Sequence, residues 1–410
     1  MKVWLKLLIG SVIGVGLGFL LPEDNQRIVE LLVRLEMLVI RIGRYAAVPF
    51  LVFSLTIAVY ELRQDKHFWA MILRALLAMA ACSIFVIALG IAVTLVFPPA
   101  RIPILIEVQQ ESIILGLWDG LVELFPANMF EAIFSQGVYL LPVCLFAFFL
   151  GIGFSYDRNY TKPVIALTDS LSRIFYHIAS LFSEILGLLI IVLSAYWAVR
   201  FSAALRADVF RDLILLLGIF SLVLGFGILP LFLYLLKPKT NPWVQLYGSL
   251  GTALTAFFSG DINFTLPVLF RHLKENLGIR RRANTVTVSL FTAFGRAGSA
   301  MIAAMSFIVI IKSYSSLGVT MADVFSIGLR ALAISFFLAR HPGDGAYAAL
   351  AVLCAGYGRG FEAGYLILKP MAFYLIALGT FVDVMICSFA SYGVAKMSGF
   401  QEDKGIDNFI

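Results

Sequence analysis

Charged residues are scarce in this chain. Only 14% of its 410 residues are charged and 61% are hydrophobic, whereas roughly a quarter of the residues in an ordinary soluble domain carry charge. The composition therefore excludes an ordinary soluble domain and predicts a polytopic helical membrane protein with one integrated domain. The formal net charge of +6 does not indicate nucleic-acid binding, because the basic residues lie in short loops between apolar segments rather than along one face.

Cysteine is scarce as well. The four cysteines, Cys82, Cys144, Cys354 and Cys387, lie in apolar stretches and have no paired spacing. This pattern argues against a zinc site or a disulfide framework and predicts small buried side chains. The apolar run 7–21 resembles a signal peptide but lacks a small-x-small cleavage site, so we expect an uncleaved first transmembrane helix.

Two long apolar segments are interrupted by polar residues and followed by short apolar arms. The first interruption, Ser-Gly-Asp-Ile-Asn at 259–263, precedes the arm 264–270, and the second, Arg-His-Pro-Gly-Asp-Gly at 340–345, precedes the arm 346–354. Because crossing a bilayer takes ~20 apolar residues, we predict that each segment is a re-entrant hairpin with a polar tip. Such a tip is tolerated only when it is buried in protein or faces a water-filled cavity. Paired interruptions of this kind are typical of a transporter binding site.

The long apolar runs predict an all-α fold of about eight transmembrane helices and two hairpins. The spans are expected at 3–21, 30–60, 68–98, 128–154, 164–199, 209–236, 284–311 and 364–395, with the hairpins at 243–270 and 322–355. Pro49 and Pro142 are expected to kink the second and fourth spans, because proline removes a backbone donor.

Lysine and arginine in the short loops orient the chain in the membrane. With a cytoplasmic N-terminus the inner loops hold more of them than the outer loops, provided that both interrupted segments are re-entrant; otherwise Arg280, Arg281 and Arg282 would lie outside. We therefore expect a multi-pass protein of the cell inner (plasma) membrane with both termini cytoplasmic. The hairpins enter from opposite faces, which predicts an inverted repeat with alternating access to one midplane site.

Short motifs along nearly the whole chain carry a resemblance to a known family. They lie at 48–55, 125–128, 150–153, 265–267, 342–345 and 394–396. On these motifs the chain resembles the dicarboxylate/amino acid:cation symporters, the glutamate-transporter family. The resemblance implies a homotrimer with inverted repeats and an elevator mechanism. Residues 1–236 would form mainly the scaffold, 237–400 the mobile transport domain, and 401–410 a cytoplasmic tail.

The chain departs from that family at the ligand positions. Asp-Ile-Asn-Phe at 261–264 replaces a run of serines, and Gly-Arg-Ala-Gly-Ser at 295–299 replaces the family's Asn-Met-Asp-Gly-Thr. The family's substrate-binding arginine falls on Gly379 and its sodium-binding asparagine on Asp383, while one threonine survives as Thr380. The family's sodium sites and amino-acid pocket therefore do not carry over.

Charged residues that are retained in a membrane are functional candidates by default, because burying them is costly. The residues predicted to bind the substrate are Asp261, Asn263, Thr265, Arg296, Ser299, Arg340, Asp344 and Thr380. The residues predicted to serve the coupling ion are Asp383 and His341, where the histidine could titrate near neutral pH and a buried carboxylate could carry a proton.

Structural interpretations compete with these roles. Arg296 is either a fork for a substrate carboxylate or phosphate or a permanent partner of Asp383 or Asp261. Asp383 is accordingly either a cation or proton site or one half of a structural ion pair. Arg340 and His341 are either site residues or tip residues that reach solvent.

Helix capping is the competing interpretation for the remaining polar residues of the interruptions. Asp344 is expected to cap the arm that follows it. Asp261 and Asn263 are expected to cap the other arm, with Thr265 also capping and Pro267 in the first turn. The second span also carries charges, Glu36, Arg41 and Arg44, which we interpret as scaffold contacts or headgroup-level anchors.

The leading functional hypothesis is a secondary transporter of a small organic anion or zwitterion, surrounded by membrane lipid and without a cofactor. The coupling cation, sodium or a proton, is left open. An uncoupled anion facilitator or channel lined by Arg296 and Arg340 is the first alternative, and a non-transporting sensor locked by Arg296 and Asp383 is the second. An intramembrane enzyme is disfavoured, because nothing in the spacing of Ser259, Ser299 and His341 brings a nucleophile within reach of a base.

Overall fold

The fold is taken from a computed structural model of the chain. It describes residues 2–21, 25–103, 122–134, 138–156, 158–206, 208–236, 241–314, 319–402, 404–405 and 409. Throughout these residues the regular structure is helical, apart from one isolated antiparallel bridge between Ile279 and Gln401. The predicted all-α class is thereby confirmed. Two lysines of the expected inner loops, Lys237 and Lys239, and half of the expected 401–410 tail lie outside the described residues.

The N-terminal half of the chain is built from nine helices among the described residues. They are α1 (Val3–Leu20), α2 (Gln26–Arg44), α3 (Ala47–Gln64), α4 (Phe68–Val96), α5 (Glu131–Phe134), α6 (Leu141–Gly153), α7 (Arg158–Arg206), α8 (Arg211–Val223) and α9 (Leu229–Leu236). The last two are joined by a π-helical turn, Leu224–Ile228. In this half α1 packs along α7, and α3 packs against α6 and α7.

The C-terminal half, which we call the hairpin half, holds seven further helices within 241–314 and 319–402. They are α10 (Pro242–Ser259), α11 (Ile262–Glu275), α12 (Arg281–Phe294), α13 (Ala297–Tyr314), α14 (Met321–Ser335), α15 (Gly345–Tyr357) and α16 (Ala372–Met397). Short 3₁₀ turns lie at Leu338–Arg340 and Gly364–Met371. In this half α13 packs against α15 and α16, while α10 packs against α11 and α16.

Seven segments of the described chain are long and apolar enough to cross a membrane, and they coincide with seven of the eight predicted spans. The eighth prediction, one helix over 128–154, is wrong in its extent, because the described part of this region contains only the short helices α5 and α6. Pro142 lies in the first turn of α6, where its missing N–H is not needed, so it does not kink a helix interior.

Pro49 interrupts the second span as predicted. The helical path breaks between α2 and α3 at Tyr45 and Ala46, and Tyr45 lies four residues before the proline. A proline cannot donate to the carbonyl four residues back and its ring clashes with that carbonyl. The break therefore ends α2 at Arg44, whose side chain is 21% exposed.

The two predicted hairpins are present. Helices α10 and α11 meet at Gly260 and Asp261, and α14 and α15 are joined through residues 336–344. The returning arms have 14 and 13 residues, which is shorter than the ~20 that crossing a bilayer takes. The sequence interruptions thus mark real turns.

The apolar helices of the hairpin half are buried, partly by each other and partly by α3 and α4 of the N-terminal half. In the most apolar window of Arg281–Tyr314, 94% of the residues are buried, and in that of Gly364–Met397 83% are, against 33% for Val3–Leu20 and Phe68–Val96. Hydrophobic spans that are wrapped by protein leave no water for their polar side chains, so those side chains need partners within the protein.

Candidate functional site

The tip of the first hairpin (259–263, the first tip) is a tight, capped connection. Gly260 ends α10 with a φ of +61°, in the left-handed region that glycine tolerates without strain. Asp261 then caps α11, because its Oδ1 accepts a hydrogen bond from the Phe264 N–H at 2.8 Å. The capping role predicted for Asp261 is therefore confirmed.

The other predicted caps of α11 are wrong. The Thr265 hydroxyl donates to the Asp261 carbonyl at 2.7 Å, and the Asn263 amide donates to the Val138 carbonyl at 2.7 Å. Pro267 lies inside α11 rather than in its first turn. A single aspartate occupies the cap position, so these neighbours bond to carbonyl groups instead.

The first tip is anchored to α2. The second carboxylate oxygen of Asp261 forms an ion pair with Arg44, the last residue of that helix, and the Asp261 side chain is only 2% exposed. Next to this pair, a Cβ added at Gly43 would lie 2.0 Å from Cδ2 of Phe264. The missing side chain at position 43 therefore lets the Phe264 ring lie directly against the α2 backbone.

The tip of the second hairpin (340–345, the second tip) is open by comparison. The carboxylate of Asp344 is 3.1 Å from Nδ1 of His341, and its side chain makes no capping hydrogen bond to α15. The predicted N-cap role of Asp344 is therefore wrong. Arg340 pairs with Glu123 at 2.8 Å, and both side chains are at least 40% exposed.

The two tips touch each other. The Ile262 N–H donates to the Pro342 carbonyl at 3.1 Å, which is a direct backbone bond between the hairpins. A Cβ at Gly343 would lie 2.8 Å from Oδ2 of Asp261 and 3.3 Å from Nη2 of Arg44. The second tip thus lies over the ion pair of the first tip, and only glycine allows this approach.

Beneath the tips lies a buried ion pair between Arg296 and Asp383. Nε of Arg296 is 2.7 Å from Oδ2 of Asp383, and neither side chain has any exposed surface. Oδ1 of Asp383 accepts from the Gly298 and Ser299 N–H groups at 2.7 and 3.1 Å, the free donors at the start of α13. The Ser299 hydroxyl donates to Oδ2 at 2.6 Å.

Hydrogen bonds from Arg296 and from Thr380 connect the two tips to the core. Nη1 of Arg296 donates to the His341 carbonyl at 3.2 Å, which ties the guanidinium to the second tip. The Thr380 hydroxyl on α16 donates to the Gly260 carbonyl at 2.9 Å, which ties the first tip to the helix that carries Asp383. The arginine thus takes the second of its two expected arrangements, as the partner of Asp383.

The structure collects most of the predicted site residues into one region. Those bonded to the buried pair or lying at the meeting of the tips are Asp261, Thr265, Arg296, Ser299, His341, Thr380 and Asp383. Asn263 instead contacts Val138, and Arg340 and Asp344 lie at the more exposed side of the second tip.

Sequence reasoning missed the glycines that bring these groups together. A Cβ at Gly345 would lie 2.5 Å from Nη2 of Arg296, and one at Gly298 would lie 2.7 Å from the Asp383 N–H nitrogen. At Gly379, where the family resemblance placed an arginine, a Cβ would lie 3.0 Å from the Ser299 hydroxyl. The density of glycine and alanine around Arg296 was the available signal for this close packing.

Two hairpins whose tips meet over a buried polar cluster inside a multi-pass helical protein define a membrane transport protein. The sequence profile of the sodium:dicarboxylate symporter family matches residues 3–397. The chain therefore belongs to the sodium:dicarboxylate symporter family. This is a family of transporters and not of enzymes.

Individual relatives match over shorter stretches. The chain is 29% identical over 126 residues to human excitatory amino acid transporter 1, which is 31% of this chain and 23% of that protein. It is 24% identical over 198 residues to the proton/sodium-glutamate symport protein of Bacillus subtilis (strain 168), 44% of each chain. It is 30% identical over 129 residues to mouse excitatory amino acid transporter 4, 31% of this chain and 22% of that protein. The chain thus spans less than half the length of each of these relatives.

Proposed function

We propose that this protein is a secondary transporter that moves a small organic anion, such as a dicarboxylate, or an amino acid, coupled to sodium or a proton. The observation that carries the proposal is the direct contact of the two hairpin tips over the buried polar cluster. Two facing tips can open alternately and expose one enclosed site to either side of the membrane. The relatives, amino acid transporters and a glutamate symport protein, support this class of substrate.

The proposed movement is that of the hairpin half against the N-terminal half, as an elevator. The contacts between the halves combine helix packing, of α12 on α3 and of α13 on α4, with ion pairs that can exchange. At one end of α12 the Arg281 guanidinium bonds Asp169 at 2.6 Å and Glu61 at 3.0 Å, and at the first tip Arg44 pairs with Asp261. The Arg281 pairs are partly exposed and contribute little net stability, so a sliding domain can break them easily. The Arg44–Asp261 pair is mostly buried, and breaking it costs more.

Arg340 is the residue that we propose binds the anionic group of the substrate. Its side chain is 40% exposed and its present partner, Glu123, is 45% exposed. A substrate carboxylate can therefore replace Glu123 without leaving a buried charge unpaired, and the guanidinium suits bidentate binding of a carboxylate. Asp261, Asn263, Thr265, Ser299, Asp344 and Thr380 complete the proposed substrate-binding set, and His341 remains the proposed proton-coupling residue.

Uptake into proteoliposomes tests the proposal. A panel of radiolabelled dicarboxylates and amino acids, with sodium and proton gradients applied separately, is expected to give saturable uptake of at least one compound. Arg340→Gln is expected to reduce that uptake, whereas Arg359→Gln, an equally simple change at another exposed arginine that pairs with Asp323, should leave it unchanged. Absence of uptake for the whole panel under every gradient would contradict the proposal.

A non-transporting sensor is the second candidate, and the Arg296–Asp383 pair favours it, because the pair ties α12, α13 and α16 together without any exposed surface. The proteoliposome uptake assay also distinguishes an uncoupled facilitator from a coupled transporter. A facilitator would give flux that persists without any cation gradient and does not saturate.

A further inference from the structure

We propose that Arg296 is the resident counter-cation of Asp383, and that this carboxylate consequently binds neither a sodium ion nor a substrate ammonium group. The proposal concerns ion binding by the folded protein; only its consequence for coupling rests on the proposed function. It follows from the number of donors around Asp383, from the oxygens around Arg296 and from the space available.

The carboxylate of Asp383 has no oxygen left for another ligand. A carboxylate offers about four lone-pair positions, and four donors reach it. Oδ1 accepts from the Gly298 and Ser299 N–H groups at 2.7 and 3.1 Å, and Oδ2 accepts from the Ser299 hydroxyl at 2.6 Å and from Arg296 Nε at 2.7 Å. A cation could bind here only after displacing one of these donors.

The guanidinium occupies the position of a hard cation. The oxygens around it are the Asp383 carboxylate, the Ser299 hydroxyl at 3.2 Å from Nη2, and the His341 carbonyl at 3.2 Å from Nη1. Carboxylate, hydroxyl and carbonyl oxygens are the ligands that hard metal cations prefer, and unwound backbone carbonyls coordinate sodium in transporters. The guanidinium of Arg296 already donates a hydrogen bond to each of these three groups.

No space remains for an ion beside the guanidinium. Arg296 has no exposed surface, a Cβ at Gly345 would lie 2.5 Å from its Nη2, and one at Gly379 would lie 3.0 Å from the Ser299 hydroxyl. Because arginine stays protonated at every physiological pH, the guanidinium is a permanent positive charge beside the carboxylate. Any coupling cation must therefore bind away from Asp383.

Thermal unfolding of the purified full-length protein in detergent tests the proposal. Sodium chloride is titrated against choline chloride at constant ionic strength. The wild type is expected to show either no sodium-specific rise in Tm or one that persists in the charge-neutral double variant Arg296→Gln/Asp383→Asn, since such a rise comes from a site elsewhere. A saturable sodium-specific rise that disappears in the double variant would overturn the proposal.

Chemical rescue provides the second measurement. Arg296→Ala is expected to lower Tm, and millimolar guanidinium chloride is expected to restore part of that loss by occupying the vacated position. Arg340→Ala, which removes an exposed guanidinium, should show no such recovery. If guanidinium raises the Tm of Arg296→Ala no more than that of Arg340→Ala, the resident-cation proposal fails. Neither measurement requires flux, so a protein that transports nothing would refute the proposed function and leave this result intact.

Discussion

The two hairpin tips have similar sequence patterns and opposite structural characters. At the first tip Asp261 caps a helix, is 2% exposed and pairs with Arg44 of α2. At the second tip the Asp344 side chain makes no capping hydrogen bond and is 48% exposed, and among the described residues its carboxylate meets only His341 of its own hairpin. A polar interruption in an apolar segment therefore predicts a turn, but it does not predict whether contacts with other helices hold that turn in place.

The difference has a local cause. The first tip needs only Gly260 in the left-handed region and one capping residue, whereas residues 336–344 of the second hairpin pass through a 3₁₀ turn before α15 begins. Removing one partner of a buried ion pair costs ~3–5 kcal/mol, whereas exposed pairs contribute roughly 0–1 kcal/mol. We therefore interpret the first tip as the more firmly anchored of the two and the second as the one that opens more easily.

The largest expected effect is at the anchored tip. Asp261→Ala removes the N-cap, worth about 1 kcal/mol, and leaves the mostly buried Arg44 without its partner, for a total of ~3 kcal/mol or more. Asp261→Asn should lie between this variant and the wild type, because asparagine still caps. Thermal unfolding measures both, with Asp344→Ala as the matched control at the other tip. Equal Tm values for the two alanine variants would refute the contrast between the tips.

The next effect is at the contact between the tips. In Gly343→Ala the new methyl group would lie 2.8 Å from Oδ2 of Asp261, so the second tip must move outward at a cost of ~1–3 kcal/mol. Hydrogen exchange over 338–345 should become faster. Gly393→Ala serves as control, since a Cβ there meets nothing within 4 Å. Unchanged exchange at the tip would show that the two hairpins are not in contact.

A smaller effect on stability is expected at Arg340. Its pair with Glu123 is exposed, so Arg340→Gln should change the free energy of unfolding by less than ~1 kcal/mol. The apparent affinity for substrate should nevertheless fall by ~10-fold or more, since hydrogen bonds to a charged group contribute about 1.5–3 kcal/mol. Uptake kinetics separate the two effects; a large loss of stability with unchanged affinity would reverse the interpretation.

The smallest effect is expected where the first helix of each hairpin begins, at the end away from the tip. The Thr320 hydroxyl, followed by its N–H, holds the pKa of Asp323 below its usual 3.8, in a capping box at the start of α14. Because the folded-state pKa is the lower one, this stabilisation is present above pH ~4 and is lost as the pH falls through the lowered pKa. As the pH falls through this range, the protection of the start of α14 against hydrogen exchange should decrease. The start of α10, which is capped by the uncharged Asn241, should keep its protection.

The positions of the hairpins could be predicted from the sequence, because bilayer thickness limits how a short apolar arm can be used. The pairings could not. Arg296 and Asp383 are 87 positions apart, and Arg44 and Asp261 are 217 apart, so their contacts depend on how the helices pack. The capping prediction succeeded for Asp261 and failed for Asp344, because His341, three residues earlier, competes for the second carboxylate.

The measurement that tests the proposed movement most directly is uptake by a protein whose first hairpin is covalently fixed to α2. A Cβ at Gly43 would lie 3.0 Å from Cγ of Phe264, which leaves the two Cβ atoms within ~4.5 Å, the range found in disulfides. In Gly43→Cys/Phe264→Cys the account predicts that oxidation abolishes uptake, that reduction restores it, and that each single variant is indifferent to oxidation. Undiminished uptake by fully cross-linked protein would contradict the account, because the hairpin half would then transport without moving.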